Sequence, residues 1–300
     1  MIAVVSKSSR PLIIMELERM LHSPWLLVPL GIALALATAS AIEAYAYLQN
    51  QYAQHVSFGY GLGLASHYYN GQTREGSFGN WIVVGANPTL SGTLFFYALP
   101  LLAVMPCAWS YLSERKSGYG AQVCIRSDRD SYLVGKCVAA FVSGALIAIV
   151  PLLWNFLLIS CLLPAYFPLI EDVQRVGLFD TCFFSELFYS HPLLYVGAYT
   201  LLDALLMGAW AVAVMGVSNV TNDRVKLMVV PYLALFAWHY FNGWIFDTLA
   251  IQGFNMNLFN SLRSESTLSR PDFAATLVEL ACLVLFGILS VRALARKEAS

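Results

Sequence analysis

Charge is what this sequence has least of. Only 12% of its 300 residues are Asp, Glu, Lys or Arg, about half the ~25% of a typical soluble domain. The formal net charge of −1 supplies no basic footprint, which argues against a nucleic-acid partner. The six cysteines form neither a CxxC nor a Cys/His pair, so the usual zinc and redox motifs are absent. A glycine-rich phosphate cradle is missing as well. Around Gly135-Lys136-Cys137, Asp130 stands where a P-loop needs its first glycine, and Cys137 replaces the Mg²⁺-binding hydroxyl. There is no HExxH, nucleophile elbow or paired metal-ligand motif. The chain therefore reads as a non-enzyme that binds no cofactor of its own. No cleavable signal peptide is expected, because charged amphipathic sequence precedes the first apolar run.

What the chain has in quantity is apolar sequence: 58% of residues are hydrophobic, and the mean hydropathy is +0.64. The length would allow two soluble domains, but the apolar runs point to one polytopic membrane domain. About 20 apolar residues at ~1.5 Å rise cross the ~30 Å hydrocarbon core. On that measure six spans are expected, at 25–46, 90–111, 132–163, 192–217, 227–246 and 273–291. The third carries Pro151 and is longer than a bilayer needs, so a tilt or kink is expected there. Trp25, Tyr45, Tyr47, Trp109, Tyr111, Tyr195 and Trp244 fall near span ends, as amphipathic rings do at the interface. The fold class is thus an all-α membrane protein: residues 1–24 as an N-terminal interfacial segment, 25–295 as the transmembrane domain and 296–300 as a tail.

Orientation follows from positive charge. With both termini cytoplasmic, about three quarters of the 17 Lys and Arg fall on the inner side, which is the bias the positive-inside rule describes. A multi-pass protein of the cell membrane is expected. Its first outer loop, 48–88, is too long for an ordinary connector and should fold against the outer mouth. The second, 164–191, is acidic and aromatic. The third, 250–272, mixes Phe254, Met256, Leu258 and Phe259 with asparagines and is expected to dip back as a short re-entrant helix. Cys161 and Cys182 are the one pair that shares the outer face, and a disulfide between them is left open.

Two polar elements stand out on the inner side. In the first, Leu12, Ile13, Met15, Leu17, Met20 and Leu21 alternate with Glu16, Glu18 and Arg19, and Ser23-Pro24 closes the segment. This predicts an amphipathic helix in the interface, the alternative being an ordinary cytoplasmic helix. The second is the charged, glycine-bearing loop 112–131, held between two spans. It carries Glu114, Arg115, Gly118, Gln122, Ile125, Arg126 and Arg129.

Together these elements resemble a known family, the membrane subunit (permease) of type-2 ABC transporters. The resemblance rests on Glu114-Arg115 after the second span, Gly118, and Arg129-Asp-Ser-Tyr132-Leu-Val-Gly135-Lys136 opening the third. Glu16-Leu-Glu-Arg19-Met-Leu-His-Ser23-Pro24 before the first span is similar to the family's N-terminal helix. The long first outer loop and Cys124 depart from the pattern. The resemblance implies a cytoplasmic coupling helix between spans two and three, with Gln122 to Ile125 as its semi-apolar plug and Arg126 and Arg129 facing acidic partner residues. It also implies a separate ATPase subunit holding ATP and Mg²⁺, a second permease (homodimer or heterodimer), and a role in export. The bland alternative is a basic loop that only sets topology. An ion-coupled secondary transporter and a non-transporting anchor or sensor subunit remain the other readings.

Ionisable or polar groups inside spans are functional candidates by default, because burying them in lipid costs several kcal/mol. Asp203, His239, Asn242 and Glu279 are in this position. They are read first as inter-helix hydrogen-bonding groups, with a pathway lining or a proton relay as alternatives. For Asp203 the expected partners are Thr200 or His239. Glu43 is expected to be interfacial and solvated.

Overall fold

The computed structural model describes residues 9–57, 76–118, 122–123, 129–170, 173–176, 178–179, 182–218, 220–221, 223–249, 257–264 and 273–297. Among these residues there are helices and turns and no strands. The long helices are α1 (Ser9–Leu21), α2 (Pro24–Ser57), α3 (Leu90–Ser117), α4 (Arg129–Leu162), α7 (Pro192–Val217), α8 (Arg224–Leu249) and α10 (Phe273–Lys297). Three short ones, α5 (Val173–Val176), α6 (Ser185–Ser190) and α9 (Leu258–Ser261), lie in the connections.

Among the described residues five helices are long and apolar enough to cross a membrane: α2, α3, α4, α7 and α10. The chain is built as a membrane-embedded helical bundle. The segment expected as the fifth span forms the 26-residue α8, which does not belong to that set. Its run Trp238-His-Tyr-Phe-Asn-Gly-Trp244 is aromatic and polar rather than aliphatic. At 34 residues, α2 and α4 each reach roughly 50 Å at ~1.5 Å per residue, well beyond the ~30 Å of a hydrocarbon core. Consequently α2 extends through the first ten residues expected in the outer loop 48–88.

Helix α7 is the centre of the bundle, packed chiefly against α4, α10 and α3. Its Leu206, Met207, Ala211, Val214 and Met215 are buried. The α4–α7 crossing is close because Gly144 has no side chain: a Cβ there would stand 2.6 Å from the Met207 carbonyl oxygen and 2.9 Å from Ala211 Cβ. Such small-residue contacts replace the hydrophobic drive that is missing between helices in lipid. Helix α3 contains Pro100 and Pro106, and its neighbours bond carbonyls near Pro100. Trp210 Nε1 of α7 donates to Pro100 O (3.0 Å), and the Tyr232 hydroxyl of α8 donates to Tyr97 O (3.1 Å). Prolines persist in membrane helices where neighbours supply such bonds.

At the end of the bundle away from α1, two connections fold inward. Trp81 is fully buried and donates from Nε1 to Leu152 O (3.0 Å). Asn155 of α4 accepts from Ile82 N (3.0 Å) and donates to Ala37 O of α2 (2.8 Å). Ser264 N donates to Val83 O (3.0 Å), joining the connection before α3 to the one before α10. Leu258, Phe259 and Leu262 around α9 are buried, so the third connection enters the bundle. Cys161 and Cys182 are both free thiols, which closes the question of a disulfide between them.

Candidate functional site

The N-terminal helix buries one acidic residue, while Glu18 and Arg19 stay exposed and Leu12, Ile13, Leu17 and Met20 are half-buried. Its Glu16 is buried, whereas Ile14 is 57% and Leu21 50% exposed. Glu16 thus faces the bundle, and the exposed Ile14, Met15 and Leu21 are available to lipid. Glu16 points at α4 and meets Lys136 there.

Lys136 Nζ lies 2.5 Å from Glu16 Oε2 and 2.6 Å from Glu114 Oε2. Glu114, near the end of α3, also meets Arg19 NH1 of α1 at 3.1 Å through Oε1. The Tyr132 hydroxyl donates to Glu114 Oε2 (3.0 Å) and the Ser110 hydroxyl to Oε1 (3.1 Å). Tyr132 and Lys136 are four residues apart and so share one face of α4. Lys136 Nζ also stands 5.6 Å from the Tyr132 ring centroid, within cation–π range. Glu16, Glu114 and Lys136 are each at most 5% exposed. Two carboxylates and two cations thus bind α1, α3 and α4 into one polar node. Inside a bundle such a network is worth little against an apolar substitute, but removing one partner strands a buried charge at ~3–5 kcal/mol.

The node stands at the head of the 112–131 segment. Helix α3 continues through Glu114 and Arg115 to Ser117, and Gly118 follows at φ 73°. That left-handed conformation ends a helix readily only at glycine; nothing lies within 4 Å of where a Gly118 Cβ would be, so backbone torsion rather than space requires the glycine. Gln122 N then donates to Gly118 O (3.3 Å), and the Gln122 side chain is exposed. Ile125 and Arg126 lie outside the described residues, as do the side chains of Arg115 and Arg129. Glu114 is therefore an interior anchor of this segment.

The candidates within the bundle divide into two kinds. His239 and Glu279 have partners. Asn257 caps α9 through Oδ1, which accepts from Phe259 N (3.2 Å), so its Nδ2 faces His239 Nδ1 at 2.5 Å. That contact leaves the proton on His239 Nε2, 3.4 Å from the Tyr97 hydroxyl. Glu279 Oε2 accepts from Ser261 Oγ (2.9 Å), which in turn lies 3.2 Å from Thr276 Oγ1. The Tyr199 hydroxyl donates to Ser261 O (3.3 Å), and the Tyr195 hydroxyl to Ser264 Oγ (2.7 Å). The inward-folded 257–264 connection is thereby tied to α3, α7, α8 and α10. Asn242 is buried on α8.

Asp203 is the exception. It is fully buried, yet neither carboxyl oxygen has a hydrogen-bond partner among the described residues, and Thr200 Oγ1 is unpartnered too. The expected pairing with Thr200 or His239 does not form; His239 meets Asn257 and Tyr97 instead. Glu43 differs from expectation in the other direction. It is half-buried, accepting from Ser91 N (3.1 Å) and Ser91 Oγ (2.5 Å) at the first turn of α3. A carboxylate is favoured there by the orphan N–H groups and the helix dipole.

Sequence reasoning placed Glu16, Arg19, Tyr132 and Lys136 within motifs but did not foresee that they converge. The available signal was the spacing of Tyr132 and Lys136 on one helical face. Comparison of the chain with family models, with curated proteins and with solved structures gives no match.

Proposed function

We propose that this chain is the permease subunit of an ATP-driven ABC exporter, with α8 as a sixth span and both termini cytoplasmic. One observation carries the reading. Five residues of the family-like pattern, dispersed over 120 positions, meet in one node: Glu16, Arg19, Glu114, Tyr132 and Lys136. A subunit that lacks its own ATP site needs a rigid element to take up the motion of a partner. In this reading the 112–131 segment carries a coupling helix that docks on a cytoplasmic ATPase holding ATP and Mg²⁺. Arg115, Gln122, Ile125, Arg126 and Arg129 face that partner, and the buried Glu114 transmits the load to α1 and α4. A second permease completes the pathway.

The test is co-purification and ATPase stimulation with candidate ATPase subunits. Arg115→Ala and Gln122→Trp should leave insertion intact and lower the stimulated ATPase rate. Full stimulation by both variants would leave the segment a mere topology determinant. One observation favours a second reading: the unpartnered Asp203 is what an ion-coupled secondary transporter would require. Transport that persists without any ATPase and is lost in Asp203→Asn would select it.

A further inference from the structure

Beside the node, α1, α3, α4 and α7 border a small cleft open to the outside. Its lining is mixed: Glu16, Arg19 and Ser23 are charged or polar, and Met20, Pro106 and Met215 are apolar. The cleft borders α1, whose exposed Ile14, Met15 and Leu21 suit a helix lying at a membrane interface.

The node leaves one acceptor over. Glu16 is 2% exposed, its Oε2 is taken by Lys136, and its Oε1 is buried without a hydrogen-bond partner among the described residues. A buried carboxylate oxygen lacking a donor carries an uncompensated desolvation cost, so this position calls for an N–H or O–H donor. A compact metal cation is a poor occupant, because Lys136 and Arg19 already flank the two carboxylates. A donor bearing its own anion is a better one. Arg19 and Ser23 are three and seven residues beyond Glu16, on the same side of the segment; they line the same cleft, and Arg19 keeps 47% of its side chain exposed.

We infer that this cleft binds a phospholipid with a primary-amine head group, of the phosphatidylethanolamine class. Its ammonium donates to Glu16 Oε1, its phosphate lies toward Arg19 and Ser23, and its acyl chains pass over Met20, Pro106 and Met215 into the bilayer. The zwitterion adds no net charge to a node that is already balanced. This inference does not rest on the ATPase reading.

The experiment is native mass spectrometry of the full chain from mixed micelles. These contain phosphatidylethanolamine with equal phosphatidylcholine, whose trimethylammonium cannot donate, and phosphatidylglycerol, which lacks the amine. The wild-type chain should retain the ethanolamine lipid over the choline lipid by about tenfold, the worth of one charge-assisted hydrogen bond. Glu16→Gln should reduce that ratio to near one. Met20→Trp, which adds bulk at an apolar lining residue and leaves the ions intact, should lower retention of the ethanolamine lipid and decides the matter if Glu16→Gln does not fold. Equal retention of all three lipids by the wild type would overturn the site, leaving water at Glu16. A preference unchanged in both variants would place the lipid elsewhere. Displacement by soluble phosphoethanolamine at matched concentration would overturn the lipid and leave a head-group site alone.

Discussion

Lys136 and Glu16, 120 residues apart in sequence, form an ion pair whose side chains are 6% and 2% exposed. Glu114 shares the same ammonium. Lys136→Met should therefore leave two carboxylates facing each other in the bundle and cost about 3–5 kcal/mol. Adding Glu16→Gln and Glu114→Gln should recover much of that loss, since amides can be buried at lower cost than charges. Thermal unfolding of the three proteins in the same detergent measures both steps. A Lys136→Met protein as stable as wild type would mean that the node is not holding α1 in place.

The Asp203 carboxyl makes the opposite prediction. Replacing a buried polar group that has no partner with an apolar one of similar size should be neutral or stabilising by about 1–2 kcal/mol, so Asp203→Val should unfold at or above the wild-type temperature. Glu279→Val, which strands Ser261 and its neighbours, should be destabilised by a similar amount. A large loss in Asp203→Val would show that water, an ion or a second chain occupies the space beside it in the membrane.

Gly144 sets the approach of α4 to α7. With a Cβ 2.6 Å from a backbone oxygen, even Gly144→Ala must shift one helix, and Gly144→Leu should cost about 3 kcal/mol or more through overpacking. The folded fraction recovered on size-exclusion chromatography should fall in the order glycine, alanine, leucine. Equal recovery of all three would mean that the helices separate freely at this crossing.

Orientation is open to direct labelling in a cysteine-free background. Under the proposed topology an impermeant thiol reagent added outside should modify Asn50→Cys, which is exposed near the far end of α2, and spare Gln122→Cys, exposed after Gly118. Ser77 and Ser261 are unsuitable probes, since both are buried. Labelling of Gln122→Cys from outside would invert the chain and remove the ATPase contact.

Local pattern alone determined that this is a helical membrane protein with an amphipathic N-terminal helix. Apolar runs of ~20 residues and the lack of charge act through the bilayer as solvent, and that constraint is read directly from composition. The break at Ser23-Pro24 and the glycine after Ser117 are local torsional facts as well. Partner choice is not local. Whether Glu16 faces lipid or Lys136 depends on how α1 is rotated against α4, and a helical period leaves that angle free. The same holds for Asp203, without a hydrogen-bond partner among the described residues, and for Trp81, held inside by the Leu152 carbonyl of α4. The length of α8 is legible in the sequence, but its place in the membrane is not. Its aromatic rings and Asn242 suit an interface as well as a core, and only packing against α3 and α7 brings Asn242 and the Tyr232 hydroxyl into the bundle.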